Sequence, residues 1–172
     1  MASLACETVV HVPPQRAYDF LTDFEGYAAY SEYLEAVERD GDGGPGTEYA
    51  ITASWWRLSH TVRSAVTAVD PPERIDWRLR GAVDARGAWL VDDLEEETSR
   101  VTLAVAYDPA TMKRLDLPYV PSVDWLADRL APVVEDEARA VVERIVADLE
   151  GEHREVEFSV RSPANVELPT ET

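Results

Sequence analysis

The sequence predicts an α+β fold with three parts: an antiparallel sheet of six to seven strands, one or two short helices after the first strand, and one long C-terminal helix. Three observations support this prediction. A strand pattern, two prolines and an amphipathic helix follow one another at the N-terminus. Between residues 47 and 107, apolar and polar residues alternate with the period of two that is typical of strands. From residue 122 to residue 150, apolar residues recur at helical spacing.

The chain begins with a predicted strand and a short helix. Residues 5–12 are strand-like and stop at Pro13 and Pro14. Pro14 suits the first turn of a helix, because its missing N–H would have no partner there anyway. Residues 15–24 are predicted to be helical, and residues 27–33 are a candidate second short helix. The core-facing positions of the first helix are Ala17, Phe20, Leu21 and Phe24.

A glycine-rich loop and an antiparallel meander come next. Residues 41–46 match the pattern G-x-G-x-x-G. A phosphate-binding loop of that pattern needs a helix N-terminus after it, whereas a strand pattern follows here. We therefore interpret these residues as a hairpin loop. Strands are predicted at residues 47–57, 59–69, 75–80, 88–94 and 101–107.

The last regular element is a helix of about seven turns. Ser122 is a suitable N-cap and Gly151 a suitable C-cap, and Pro132 is expected to kink the helix between them. The opposite face is expected to be solvated, because it carries the charged residues Glu135, Asp136, Arg139, Glu143, Arg144 and Asp148. The apolar stripe that should face the core consists of Val123, Leu126, Leu130, Val134, Ala138, Val141, Ile145 and Leu149.

The domain organisation follows from these elements. Residues 1–151 are expected to form one domain, because a chain of 172 residues is long enough for a single sizeable core. Residues 152–172 form an acidic C-terminal extension. Alternation around residues 156–160 is compatible with a short extra strand, which would join the sheet edge or reach a second subunit. The rest of the extension is expected to be a mobile tail.

Composition narrows the class of protein. Hydrophobic residues make up 45% of the chain, as in globular proteins, and no apolar run approaches the length of a membrane span. The N-terminus lacks the basic region of a signal peptide. Cys6 is the only cysteine, so no internal disulfide can form. We therefore expect a cytoplasmic protein without stable membrane insertion.

The charge balance is strongly acidic. The chain has 34 acidic and 16 basic residues, a net charge of −18, and Lys113 is its only lysine. Such a surface repels phosphate backbones and anionic membranes, so nucleic acid is not an expected partner. A cationic partner or a cell interior at molar salt would explain the charge. The even spread of acids and the scarcity of lysine favour a halophilic protein, in which salt screens self-repulsion.

The first thirty residues resemble the opening of the START-like helix-grip proteins, the SRPBCC superfamily. The likeness rests on the order of strand, Pro13-Pro14 and helix, and on the stretch Asp23-Phe24-Glu25-Gly26-Tyr27. This stretch is similar to the D-x-x-x-Y segment of polyketide cyclase/dehydrase-like and coenzyme Q-binding members, although Ala28 stands where those often have proline. The resemblance implies a sheet wrapped around the long helix, with a cavity for a lipid, a quinone or a polyketide-like aromatic.

Aromatic and basic residues on the predicted elements are the candidate ligand-binding groups. Alternate residues of a strand share a face, so Tyr49, Trp55 and Arg57 lie together. If that face and the Arg63 face of the next strand are both concave, the two arginines would hold a ligand carboxylate or phenolate. Pairing of these arginines with surface acids is the alternative. The full candidate set is Tyr49, Trp55, Arg57, Arg63, Trp77, Trp89, Tyr107 and Trp125.

The sequence contains few groups suited to catalysis. His60 and Asp92 are the candidate acid–base residues, and no recognised nucleophile motif surrounds Cys6, which is expected to be a small buried side chain. The three histidines are too far apart for a metal motif, so we expect no metal and no cofactor.

Three functions remain open at this point. Binding of a hydrophobic small molecule without turnover is favoured. A cyclase or dehydratase that acts on a bound polyketide-like chain is the second possibility, and a protein-interaction module of the same fold is the third. An interaction module would depend on residues 152–172 or on an exposed sheet edge.

Overall fold

The computed structural model describes residues 2–23, 26, 30–55, 58–81, 83–112, 123–152, 156 and 158–161. These residues form eight strands and three helices. In chain order they are β1 (Ala2–Val10), α1 (Pro14–Thr22), β2 (Leu34–Asp40), β3 (Glu48–Trp55), β4 (Leu58–Asp70), β5 (Arg74–Arg80), β6 (Ala85–Asp93), β7 (Ser99–Tyr107), α2 (Pro109–Met112), α3 (Val123–Glu150) and β8 (Phe158–Arg161).

The strands form one antiparallel sheet in the order β2-β3-β4-β5-β6-β7-β1-β8. Strands β2 to β7 follow one another as a meander, and β1 returns beside β7. The sheet curls into a half-barrel, with α1 against β6 and β7 and α3 against β1. The predicted α+β fold, with an antiparallel sheet, a short helix after the first strand and a long C-terminal helix, is confirmed.

Strand β2 has no counterpart among the strands predicted individually. Its sequence, LEAVERD, has no regular alternation, and its burial is irregular as well. Pairing with β3, for example Arg39 with Tyr49, holds it in the sheet. Of the candidate second helix, residues 27–29 lie outside the described residues and residues 30–33 form a turn into β2.

The loop between β2 and β3 is the hairpin loop that the sequence predicts at residues 41–46. Gly41 has a φ of +136°, and a Cβ atom there would lie 2.6 Å from Oγ1 of Thr47. Only glycine therefore fits at this position. The Thr47 hydroxyl accepts a hydrogen bond from the Gly43 N–H at 2.9 Å, which stabilises the turn.

The core lies between the sheet and the two longer helices. Ala17 and Leu21 of α1 are buried, as the periodicity of the helix predicts, and Val146 of α3 is fully buried. Gly151 has a φ of +78° and donates to the Ala147 carbonyl at 2.9 Å, so the predicted C-cap is confirmed. Ser122 and the side chains of the first half of α3 lie outside the described part of the chain.

Two hydrogen-bonding residues connect the loop after β1 with the rest of the structure. Glu150 at the end of α3 accepts from the His11 N–H at 3.2 Å, and its other oxygen lies 3.2 Å from Nδ1 of His11. Ser99 donates its hydroxyl to the Val12 carbonyl at 2.8 Å. These contacts fix the start of α1 relative to α3 and β7.

Strand β8 pairs antiparallel with β1, from Thr8 opposite Phe158 to Ala5 opposite Arg161. An extra strand at the sheet edge is one of the alternatives that the sequence leaves open. Residues 162–172, where a mobile tail was expected, lie outside the described residues. Among the helices of the described part, none combines the length and the apolarity that crossing a bilayer requires.

Candidate ligand-binding cavity

Two neighbouring cavities lie on the inner side of the curled sheet. The sheet chamber, of about 220 Å³, is lined by Leu34, Val37, Tyr49, Ile51, Ser64, Val66, Trp77, Leu79, Trp89 and Leu103. The helix chamber, of about 330 Å³, lies between the sheet and the helices. Its wall consists of Cys6, Glu7, Thr8, Val10, Ala17, Phe20, Leu21, Tyr30, Leu34, Trp89, Val101, Leu103, Val141, Val142, Ile145, Val146 and Leu149.

Strand register determines the wall of the sheet chamber. Tyr49 of β3 is opposite Ser64 of β4, and directly opposed residues share a face of the sheet. Val66, two residues further along β4, is opposite Trp77 of β5. We call the side that carries these residues the cavity face and the opposite side the outer face. The alternation of Ile75, Trp77 and Leu79 thus places the apolar residues of β5 on the cavity face, as predicted.

Gly87 provides the space for the indole ring of Trp77. The two residues are cross-strand partners on β5 and β6. A Cβ atom at position 87 would lie 2.5 Å from Cζ2 of Trp77 and would also collide with the Ala104 carbonyl oxygen. The Trp77 Nε1 is buried and has no hydrogen-bond partner among the described residues.

The helix chamber is built by α1, β1 and the second half of α3. Val141, Ile145 and Leu149, which belong to the predicted apolar stripe, line it together with the fully buried Val146. Cys6 faces them from β1, and burial raises the pKa of its thiol. The thiol is therefore neutral at physiological pH and unsuited to nucleophilic attack.

Tyr30 covers one side of the helix chamber. Its hydroxyl donates to the Asp148 carboxylate, and Arg144 donates to its backbone carbonyl. The ring of Phe20 meets it edge to face, with 5.7 Å between the ring centroids. The hydrogen bond to Asp148, together with burial, raises the pKa of Tyr30 to about 12. Arg144 and Asp148 belong to the face of α3 that was expected to be solvated, yet they hold this side of the cavity.

A second set of contacts ties the same segment to α3. Ser31 donates its hydroxyl to Oε1 of Glu137 at 2.9 Å. Nη1 of Arg144 lies 3.7 Å from the same oxygen. Residues 30 and 31 are thus held against α3 at two points along the helix.

The predicted aromatic residues fall into three groups. Tyr49, Trp77 and Trp89 line the cavity wall. Tyr107 is half-buried on the cavity face of β7 but lies beyond the wall of either chamber. The side chains of Trp55 and Trp125 lie outside the described part of the chain, as does Arg57.

The expectation that Arg63 faces the cavity with Tyr49 is wrong. Because Tyr49 is opposite Ser64, the next residue of β4 lies on the outer face. Arg63 is exposed there, opposite Ala50 on β3 and Arg80 on β5. It therefore cannot hold a ligand inside the chambers.

The two candidate acid–base residues also lie away from the chambers. Asp92 is exposed and is opposite Arg100. It is three residues from Trp89, so it projects from the outer face of β6. His60 is on the cavity face of β4, four residues from Ser64, but it is exposed and is not part of either wall. The geometry brings neither residue to the enclosed space.

Several wall residues were not among the sequence candidates. Leu103 follows the alternation of β7, so its inward position was available from the pattern. Leu34 begins β2, the strand without a clear alternation, so nothing in the sequence indicates that its side chain faces the cavity. Tyr30 lies in a turn, and its position depends on contacts with α3 that are distant in sequence.

The described side chains contain no group of three His, Cys, Asp or Glu residues that could hold a metal ion. Among the described residues, the ionisable side chains of the two walls are those of Cys6, Tyr30 and Tyr49. Glu7 also borders the helix chamber, but because Cys6 is opposite Leu103 on the cavity face, the neighbouring Glu7 side chain lies on the outer face. The arrangement is therefore suited to enclosing apolar surface, with a few hydroxyl and N–H groups to orient a ligand.

The model of a protein family described as polyketide cyclase / dehydrase and lipid transport matches residues 1–150, which contain every element except β8. No curated protein sequence matches the chain.

Solved structures with the same fold are numerous. The Zhui aromatase/cyclase from Streptomyces sp. R1128 is 20% identical and has a TM-score of 0.64 over 86% of this chain and 93% of its own. A START superfamily protein from Mycobacterium smegmatis is 15% identical, with a TM-score of 0.62 over 86% and 99%. Norcoclaurine synthase from Thalictrum flavum is 16% identical, with a TM-score of 0.53 over 83% and 95%. At these identities the likeness concerns the fold.

Proposed function

Because the chain belongs to the polyketide cyclase / dehydrase and lipid transport family, we propose that it binds a hydrophobic small molecule in the sheet and helix chambers. A lipid, a quinone or a polyketide-like aromatic is the ligand class that fits this family. The observation that carries the proposal is the pair of apolar chambers, one on the cavity face of the sheet and one between the sheet and α3, with Trp89 in the wall of both.

The size of the chambers supports a ligand of more than one ring. An apolar cavity of roughly 150 Å³ is enough to bind benzene. The helix chamber, at about 330 Å³, is twice as large and reaches the lower end of the range typical of small-molecule sites. Burial of apolar ligand surface there would supply most of the binding free energy.

Binding without turnover is the form of the proposal that the site supports best. A general acid or base must come within hydrogen-bond reach of the reacting atom. Asp92 projects from the outer face, and His60 is exposed beyond the wall. The Tyr30 hydroxyl borders the helix chamber, but its pKa of about 12 keeps it protonated at neutral pH. With the described side chains alone, a cyclase would rely on enclosure and orientation of the substrate.

The position of β8 argues against an interaction module built on the C-terminal extension. Phe158–Arg161 pairs with β1 of the same chain, so the backbone groups on that side of β8 are occupied within the fold. Deleting residues 158–161 would then expose the β1 edge rather than remove a docking element.

The proposal is tested by identifying what co-purifies with the protein. Purification in molar salt followed by denaturing mass spectrometry should reveal a stoichiometric apolar compound. If the protein is empty, the same preparation is titrated with a fluorescent apolar probe, which should bind at one site per chain. An empty, folded protein that binds no apolar probe would contradict the proposal. Conversion of a bound compound to a product would show that the protein is an enzyme instead.

A further inference from the structure

We propose that the outer face of the sheet binds a soluble phosphate compound at β4, β5 and β6. This site is separate from the apolar chambers, so the inference goes beyond the proposed function and does not depend on it. It rests on one juxtaposition, in which two pairs of arginines face each other across neighbouring strands. We call these four residues the arginine cluster: Arg63, Arg78, Arg80 and Arg86.

Strand register brings the arginine cluster together. Arg63 is directly opposite Arg80 on β5. Arg78, two residues before Arg80, is directly opposite Arg86 on β6. Leu79 lies in the wall of the sheet chamber, so its neighbours Arg78 and Arg80 are on the outer face. Opposed residues have Cβ atoms about 4.5–5.5 Å apart, and alternate residues of a strand are about 6.7 Å apart. Four long cationic side chains therefore project from one small patch.

An open groove lies over the same patch. Its volume is about 710 Å³, and its lining includes Arg78, Arg80 and Arg86. Gly81 and Asp84, which follow β5, form part of its border. The exposed Arg63 is opposite Arg80 and stands beside the groove. The groove therefore has room for a ligand of several heavy atoms next to the arginine cluster.

Carboxylates hold two arginines of the cluster in place. Oε1 of Glu48 lies 3.1 Å from Nε of Arg80. Oδ1 of Asp84 lies 3.8 Å from Nη2 of Arg78. The side chains of Arg80 and Arg78 are still 65% and 37% exposed, so these contacts orient the guanidinium groups without enclosing them. The four arginines and these two carboxylates together carry an excess of two positive charges.

The arginine cluster contrasts with the composition of the chain. Acidic residues outnumber basic ones by 34 to 16, yet here like charges are directly opposed, which is destabilising in a sheet. Asp76 also lines the groove, but its Oδ1 lies 2.7 Å from Nε of Arg74, so that pair adds no net charge. An anion bound between the arginines would relieve their repulsion.

Phosphate is the class of anion that fits this arrangement. The guanidinium fork matches phosphate oxygens with two parallel N–H groups. A phosphate group carries close to two negative charges and three acceptor oxygens, so it can accept from several arginines at once. A carboxylate has one charge and two oxygens. The net charge of −18 repels anionic membranes and nucleic acids, which favours a small soluble phosphate compound.

Calorimetric titration with inorganic pyrophosphate tests the site. The buffer contains 0.5 M NaCl at pH 7.5, so that salt screens the net charge of the protein. The wild type should bind one pyrophosphate per chain, whereas acetate, with a single charge, should bind at least about tenfold more weakly. Absence of pyrophosphate binding would overturn the proposal. Equal affinity for acetate would overturn the assignment to phosphate.

Two charge-matched variants separate the arginine cluster from the net charge. Arg63→Gln with Arg80→Gln should weaken pyrophosphate binding at least about tenfold, because two charge-assisted contacts are lost. Arg16→Gln with Arg139→Gln removes the same charge from exposed positions on α1 and α3, and it should bind like the wild type. Equal losses in both double variants would overturn the site. If the first double variant does not fold, as judged by circular dichroism, Arg63→Gln alone should still weaken binding.

Vesicles distinguish a soluble phosphate compound from a lipid headgroup. Phosphatidylcholine vesicles with one fifth phosphatidic acid present the same chemical group on a surface. The protein should not sediment with them in the buffer used for pyrophosphate, because the surface around the arginine cluster is acidic. Sedimentation that is lost in the double variant of Arg63 and Arg80 would overturn the soluble source and assign the site to a membrane.

Discussion

At the scale of single residues, the cavity depends on where each large aromatic finds space. Trp77 lies against Gly87, where no side chain could be accommodated. Sequence alone indicates that Trp77 faces inward, because apolar and polar residues alternate along its strand. It does not indicate that Gly87 is the partner, because that depends on the register between β5 and β6.

Replacing Trp77 by alanine should weaken binding of N-phenyl-1-naphthylamine by about tenfold or more, because a large apolar contact in the sheet chamber is lost. Fluorescence titration measures the change. Arg63→Gln is the matched control on the neighbouring strand, and its affinity should equal that of the wild type, since Arg63 is on the outer face. Weaker binding by the Arg63 variant together with unchanged binding by Trp77→Ala would contradict the assignment of faces.

Tyr30 gives a prediction in alkaline solution. Its pKa is raised from 10.0 to about 12 by the hydrogen bond to Asp148 and by burial. A group whose folded pKa lies above its unfolded value contributes full stability below the unfolded pKa and loses it as pH rises through the folded one. The wild type should therefore lose stability between pH 10 and pH 12, measured by urea unfolding.

The variant Tyr30→Phe isolates this contribution. At pH 7 it should be less stable by about 1 kcal/mol, the typical net value of one hydrogen bond. Between pH 10 and pH 12 its loss of stability should be smaller than that of the wild type. If the free energy of unfolding fell equally with pH in the two proteins, the Tyr30–Asp148 contact would not contribute to the alkaline loss of stability.

At the scale of elements, prediction succeeded where a strand or helix carries its own pattern. The alternation at residues 75–80 places β5, and the helical spacing after residue 122 places α3, because each pattern reflects a single buried face. Strand β2 lacks such a pattern and was found only in the structure. The side to which Arg63 points could not be predicted either, because it depends on the pairing of two strands.

The turn between β6 and β7 is an element under backbone strain. Glu95, Glu96 and Glu97 have φ values of 70°, 53° and 57°, in the left-handed region. For non-glycine residues this conformation costs about 1–2 kcal/mol each. Glu96→Gly should therefore raise the free energy of unfolding by about 0.5–1 kcal/mol, after allowing for the extra flexibility of glycine in the unfolded chain.

Urea unfolding measures this gain. Glu73→Gly is the control, because Glu73 is also an exposed glutamate in a turn but does not have a positive φ. The control should be neutral or destabilising, since glycine adds only unfolded-state freedom there. A loss of stability in Glu96→Gly as large as that in Glu73→Gly would mean that the turn is not strained.

At the scale of the whole molecule, the net charge of −18 acts on stability. Screening lengths fall from about 10 Å at 0.1 M salt to about 3 Å at 1 M salt, so mutual repulsion of surface carboxylates weakens. Raising NaCl over this range should increase the free energy of unfolding by about 1 kcal/mol, or the melting temperature by roughly 2–4 °C.

A charge-reduced variant separates screening from general salt effects. Glu35, Glu38 and Glu73 are exposed, so changing them to glutamine removes three negative charges without altering the core. The salt dependence of this triple variant, followed by thermal unfolding, should be smaller than that of the wild type. If both proteins were stabilised equally by salt, repulsion between surface carboxylates would not be the cause of that stabilisation.

The whole-molecule claim is that the half-barrel and α3 enclose a site for one apolar ligand. Calorimetric titration of the folded protein with N-phenyl-1-naphthylamine at several temperatures tests it most directly. The account predicts one site per chain and a negative heat-capacity change, the mark of apolar burial. Absence of binding, or several weak sites with no heat-capacity change, would contradict it.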